Sequence, residues 1–314
     1  MFIFMSIVSK AQISISNIDE ISKIKNTTTY IAMKDPNSEV AKEYATIFKQ
    51  YWTISKIAFI KYSEIYKYLN ANSSFLTIGG YSTSVSSHTI YSDGGIGSGV
   101  DYQNTHIYLE LWNCSNKYLS KNKEPKDFKE KDKQQISRLE LFTDFPTLMI
   151  PSNLYKSEYD TEGHVRNWGL GMLKNHIQNM IINITKGTDK KLFTEILNIN
   201  EIKKLTNQTL FVPDYVLFKF NMFNGNESKK HEVKDIFDDY NFKYEVLSTA
   251  DLNKKILEDK STFYYLQYIK SSTDKYVSVI NSRTGEVVYS VYTPLSYNIK
   301  SGDLKDLSKI ISKS

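Results

Sequence analysis

Apolar positions along this chain switch repeatedly between a helical spacing and strict alternation. Val40 to Gln50 carries apolar residues at helical intervals. Trp52 to Ile60 then turns strand-like, rich in β-branched and aromatic side chains. A strand at Thr28 to Met33 precedes this pair. A helix start at Ser63 to Leu69 and strands at Ser74 to Ile78 and Thr105 to Trp112 follow it. The succession then returns. Thr209 to Phe220 reads as a strand, Glu232 to Asp239 as a helix, Phe242 to Leu247 as a strand and Ala250 to Ile256 as a helix. Thr262 to Leu266, Lys275 to Ile280 and Val287 to Val291 read as strands. The turn Arg283-Thr284-Gly285-Glu286 joins the last two as a hairpin.

The repetition extends to residue identity. Ile47-Phe48-x-x-Tyr51 recurs as Ile236-Phe237-x-x-Tyr240, each time at the end of the predicted helix. The pattern predicts an α/β (α+β) chain of two related modules. Each is a mixed sheet with helices packed on it, in the order strand-helix-strand-helix-strand-strand. Trp168, Met172, Leu173, Ile177, Met180, Ile181 and Ile184 mark one face of a closing helix, 164–186, which Gly187 ends. The first module then covers residues 12–187, with a long insertion at 81–163, and the second covers 188–314. Leu304, Leu307, Ile310 and Ile311 place a last helix near the end of the second.

Residues 1–11 stand outside this scheme. Met1 to Val8 is apolar but too short to span a bilayer, and Ser9-Lys10-Ala11 offers small residues at positions −3 and −1 of a cut before Gln12. This predicts a signal peptide that lacks the usual basic start; the alternative is a packed N-terminal strand. No later stretch is apolar enough to cross a membrane, so the mature chain is expected to have no transmembrane segment.

Composition changes the picture little. The net charge is +5, from 40 basic and 35 acidic residues, and the Lys-dense stretch Lys117 to Lys133 is interleaved with Glu124, Asp127, Glu130 and Asp132. Mixed signs of this kind mark a solvated loop, so no nucleic acid is expected as a partner. Cys114 is the single cysteine, which excludes an internal disulfide and a cysteine zinc cluster.

The strand leading into Ser-Glu-Ile-x-Lys-x-Leu at 63–69, with an echo at Asp251-Leu-x-Lys-Lys-Ile256, resembles the periplasmic TolB amino-terminal-type α/β domain. That resemblance covers about 40 residues in each half. It implies an α/β fold and an envelope compartment, and it assigns no activity. The chain also looks like exported proteins of envelope-rich bacteria. Together with the leader, this suggests a periplasmic, outer-membrane-associated or extracellular location.

Searches for catalytic chemistry give no catalytic residue, metal ligand or cofactor. Gly94-Gly95-Ile96-Gly97-Ser98-Gly99 is glycine-rich, but a strand rather than a helix follows it, so it reads as part of a mobile hairpin loop from Gly79 to Gly99. His231-Glu232 begins like a zincin helix, but Asp235 stands where the second histidine belongs. His106 and Cys114 share a strand, roughly 26 Å apart at about 3.3 Å per residue, too far for a nucleophile pair. The densest polar cluster is Glu162, His164, Arg166 and Trp168, just ahead of the long helix. It could bind an anionic or aromatic ligand, or it could simply cap and anchor that helix. The chain is therefore expected to be a non-catalytic interaction or scaffold protein with an envelope or periplasmic protein partner. The alternative is a ligand-binding protein or enzyme with a site between the modules near residues 162–168.

Overall fold

The computed structural model of the protein describes residues 12–121, 124–142, 165–221, 227–228, 230–271, 274–296 and 298–313. The signal-peptide expectation, residues 1–11, lies outside them, as do Glu162 and His164.

The first module contains β1 (Ile13–Ile15), α1 (Ile21–Ile24), β2 (Thr28–Met33), α2 (Glu39–Tyr51), β3 (Lys56–Lys61), a 3-10 turn (Tyr62–Tyr68), β4 (Ser73–Ile90), β5 (Ile96–Cys114), α3 (Asn116–Leu119), β6 (Lys133–Leu141) and α4 (Leu170–Lys186). The second contains β7 (Ile196–Leu197), α5 (Ile199–Ile202), β8 (Leu210–Pro213), the short pair β9 (Lys219–Phe220) and β10 (Glu227–Ser228), and α6 (Val233–Phe237). It continues with β11 (Tyr244–Leu247), α7 (Thr249–Glu258), β12 (Tyr264–Ser271), β13 (Asp274–Asn281), β14 (Val287–Thr293) and α8 (Ser301–Lys313).

Two six-stranded mixed sheets result, β1-β6-β5-β4-β2-β3 and β7-β14-β13-β12-β8-β11. The orders are the same, and so are the directions. β2 runs parallel to β3 and β4 as β8 does to β11 and β12, while every other neighbour is antiparallel. Even the register shift recurs in the corresponding ladder, at Leu111/Trp112 and at Val279/Ile280. The two modules are related, and the repeated Ile-Phe pair is buried at the end of α2 and of α6.

Local chemistry explains the elements. The Ser38 hydroxyl accepts from the Ala41 amide and opens α2, which buries Tyr44, Ile47 and Phe48. Ser248 caps α7 in the same way. The matching segment at Tyr62–Tyr68 has Lys61 in the cap position, without a side-chain acceptor. It forms a 3-10 turn held by a Lys67–Glu64 ion pair instead of the α-helix its alignment with α7 suggested.

The structure departs from the sequence pattern in further places. Thr209 to Phe220 is not one strand: β8 ends at Pro213, and a 3-10 turn at Asp214–Leu217 separates it from β9. Gly79 to Gly99 is not a loop for most of its length: it continues β4 and begins β5, in register from Gly79↔Tyr108 to His88↔Gly99. Alternating Ser, Thr and β-branched residues suit a ladder as well as a loop. Residues 81–163, read as an insertion, supply the outer part of β4 and all of β5 and β6, the last two being the counterparts of β13 and β14. The true excursion between those strands is short. Residues 115–132 fold Tyr118 and Phe128 onto the sheet beside Phe75 and Trp112.

One face of the first sheet buries Leu76, Leu109, Leu111 and Leu139 against α2 and α4. Helix α4 closes the first module but also docks on the second. Lys174 Nζ donates to the carbonyls of Ile256 (3.0 Å) and Ser282 (3.4 Å), and Asn175 Nδ2 to Ser282 O (2.9 Å). Tyr265 Oη donates to Asn175 Oδ1 and Gln178 Nε2 to Arg283 O. At the other end of the interface Gln12 is buried and donates to Gln267. Among the described residues no helix is long and apolar enough to cross a membrane.

Candidate functional site

Of the sequence-predicted cluster, Arg166 and Trp168 are described, and the structure sends them to different neighbours. The Arg166 guanidinium lies 4.3 Å above the Phe218 ring of the second module, and its backbone amide donates to Phe142 O. Trp168 is 5% exposed and belongs to the first module's core, its ring stacked on Tyr44 at 6.2 Å. It therefore offers no open stacking face. Between them, Asn167 Oδ1 accepts from the Phe142 amide, and Asn167 O accepts from His176 Nε2. Burial pushes the His176 imidazole down to about 4.

Beside this turn lies a groove between α2 and α7 that crosses the start of α4. It has a volume of about 300 Å³ and is lined by Val40, Glu43, Tyr44, Leu170, Lys254 and Leu257. Asn253 holds its floor, accepting from the Met172 amide and donating to the carbonyls of Trp168 and Thr249.

A second constellation, on the opposite face of the first sheet, went unnoticed in the sequence. Glu110 is wholly buried. One oxygen accepts from Lys133 Nζ (2.6 Å) and Thr77 Oγ1 (3.3 Å), the other from Gln135 Nε2 (2.8 Å). Burial by itself would lower the Lys133 ammonium; the Glu110 and Glu130 carboxylates reverse that and hold it above its usual value. Trp112 stacks between Phe75 (4.4 Å) and Phe128 (5.5 Å), with Lys133 over its face. A cavity of about 240 Å³ opens above, lined by Tyr62, Ile65, Phe128, Lys129 and Glu130.

Further along this face Arg138 pairs with Glu140 and covers the Tyr108 ring at 3.8 Å. Glu140 also accepts from Ser271 Oγ (3.0 Å), and Ser271 Oγ lies 3.1 Å from His106 Nδ1. Serine, histidine and carboxylate thus meet, but in the wrong order for a nucleophile. The serine proton goes to Glu140, so His106 Nδ1 donates to Ser271 instead of taking its proton. Burial, with Arg138 adding to it, lowers the His106 imidazole to about 4. Cys114 is buried and its thiol is raised to about 12, which removes the thiolate that reactivity needs. His231 precedes α6 instead of lying on it. Among the described residues no group of three or more His, Cys, Asp or Glu could hold a metal ion.

The signal for the second constellation was parity. In Thr105 to Trp112, Glu110 alternates in phase with Tyr108 and Trp112, so a carboxylate on that face needed a buried cation. No protein-family model matches the chain, and no curated protein is significantly similar to it.

Proposed function

We propose that this chain is an exported, non-catalytic interaction protein of the bacterial envelope, and that it holds a protein partner by strand addition. The observation that carries this reading is the arm formed by β4 and β5. β2 stops pairing with β4 at Leu76, and β6 stops pairing with β5 at Ile107. From Ser82 to Thr105 the two strands pair only with each other among the described residues. At about 3.3 Å per residue the arm runs roughly 30 Å past the sheet. A two-stranded ribbon is marginal in water, and its outer edges are templates for another strand. Edges left open are commonly guarded by lysine or proline, and residues 82–105 contain neither. The apolar leader and the resemblance of 63–69 to TolB-type domains support an envelope location.

The test is a pull-down from an envelope fraction with residues 12–314 as bait, beside a variant with Ser84→Pro and Ser86→Lys on the arm. One envelope protein recovered in near-equal amount by the parent and lost from the variant supports the reading. Recovery of nothing, or equal recovery by both baits, sinks it.

The groove between α2 and α7 favours a second reading, a small-molecule site at the module junction next to residues 162–168. Metabolite-induced chemical-shift changes confined to Leu170, Asn253 and Leu257 would support it.

A further inference from the structure

The tip of the arm carries chemistry its edges do not. Ile90 and Ile96 pair across the hairpin, and both are about three-quarters exposed, at 76% and 75%; Tyr91 between them is 57% exposed. Three large apolar side chains thus stand within seven residues at the far end of a projecting ribbon. The backbone that carries them is closed by a hydrogen-bonded turn. Tyr91 N donates to Gly95 O, Gly94 N to Tyr91 O, and Gly95 N to Asp93 Oδ1 at 2.9 Å. The Tyr91 ring lies across Gly97, where a Cβ would come within 2.9 Å of it. Glycine at that position lets the ring fold flat and complete an apolar cap.

We propose that this tip inserts into the interfacial layer of a lipid bilayer. Three features favour lipid over a protein groove or a second copy. The apolar group is convex and small, a shape that a deformable surface accepts without a matching pocket. The Tyr91, Gly94 and Gly95 amides find acceptors within the turn, as a segment entering a region poor in water requires. Charge is nearly absent: among the 24 residues from Ser82 to Thr105 only Asp93 and Asp101 are charged, in a chain that is 24% charged overall. A tyrosine flanked by two isoleucines suits the headgroup boundary, where the ring is apolar and the hydroxyl wet. Asp93 sets the lipid preference, since a lone carboxylate at the tip opposes anionic headgroups and tolerates zwitterionic ones. The proposal concerns the tip alone and does not rest on strand addition along the stem.

The experiment is flotation of the full chain with phosphatidylcholine vesicles, alongside Ile90→Asp/Ile96→Asp and Tyr91→Trp. Trp52, Trp112 and Trp168 are buried, so a tryptophan at position 91 reports on the tip. The parent should float with the vesicles and the double variant should lose at least tenfold in partitioning while keeping its circular dichroism. Y91W emission should shift to shorter wavelength and be quenched by brominated lipid. Replacing a third of the lipid by phosphatidylglycerol should weaken binding. Failure to float, no emission change, or binding that rises with phosphatidylglycerol and survives I90D/I96D overturns the proposal. A fall in molecular mass of I90D/I96D in sedimentation, without parental vesicle binding, also overturns it, in favour of a second copy as occupant. Because the vesicles contain no protein, these outcomes leave the pull-down result independent.

Discussion

Gly285 of the β13–β14 turn lies against the backbone of Asn175 in α4, so close that a Cβ on the glycine would sit 2.5 Å from the Asn175 carbonyl oxygen. The glycine also has φ +72°, in the left-handed region. The contact joins the two modules, because Asn175 and Gln178 also bond the carbonyls of Ser282 and Arg283 in the same turn. Gly285→Ala adds a methyl with no room and a strained backbone, together worth about 2–4 kcal/mol. Denaturant titration should show that loss. Gly302→Ala, with nothing within 4 Å of the new carbon, is the control and should change stability little. Equal behaviour of the two variants would show that the turn does not dock on α4.

Much of the secondary structure was legible because the segments concerned bury one face each. Alternation and helical spacing mark β2, α2, β13, β14 and α8 within a few residues, and the Ile-Phe repeat marks equivalent points of both modules. What escaped was set by long-range pairing. β1 and β7, at three and two residues, are too short for a periodic signal, and they exist because β6 and β14 offer them an edge. β6 begins Lys-Gln-Gln-Ile-Ser-Arg and looks solvated until Glu110 is seen to neutralise Lys133. The arm looked like a loop because Ser and Thr serve both roles. Of the candidate site, Arg166 and Trp168 precede the long helix, which starts at Leu170 and not at residue 164 as its apolar spacing predicts, and their partners, Phe218 and Tyr44, lie 52 and 124 residues away in sequence. No local pattern announces such contacts.

The Glu110–Lys133 pair is buried on the carboxylate side and mostly covered on the other, with side-chain exposures of 0% and 16%. Removing one partner of such a pair leaves a charge that water cannot reach. Lys133→Ala should therefore cost about 3–5 kcal/mol. Replacing both by apolar residues of similar size, Glu110→Leu with Lys133→Leu, should recover most of that loss. A double variant as unstable as the single one would mean that the pair contributes through Gln135 and Thr77, not by mutual neutralisation.

His176 makes stability depend on acid. Its imidazole titrates near 6.5 in the unfolded chain and is lowered to about 4 when folded, by burial opposed in part by its bond to Asn167 O. A histidine with a depressed folded pKa destabilises the native state only when the unfolded chain binds the proton first. Its effect is absent above pH 6.5, grows as pH falls, and saturates below 4 at about 3 kcal/mol, at roughly 1.4 kcal/mol per unit. His176→Gln keeps an amide donor toward Asn167 and has no proton to gain. At pH 7.5 the variant should be the less stable protein, and the gap should close or reverse by pH 4.5. A gap that stays constant across that range would rule out a neutral, buried imidazole.

Trp168 decides between the two roles open to the segment before α4. As a core residue packed on Tyr44 it should behave like other buried tryptophans, with Trp168→Ala costing about 3–5 kcal/mol. Trp168→Phe keeps an apolar ring against Tyr44 and should cost less than half as much. Arg166, whose guanidinium covers Phe218 at the junction, should lose only about 0.5–2 kcal/mol on change to Ala. Chemical denaturation of the three variants gives the order W168A, then W168F, then R166A or equal to it. A ligand-contacting tryptophan gives the opposite result: W168A of near-parental stability, with a loss that appears only when a bound small molecule is measured. The 5% exposure of the ring predicts the first outcome, because a side chain already enclosed by Tyr44 and the core has no free face to offer a ligand.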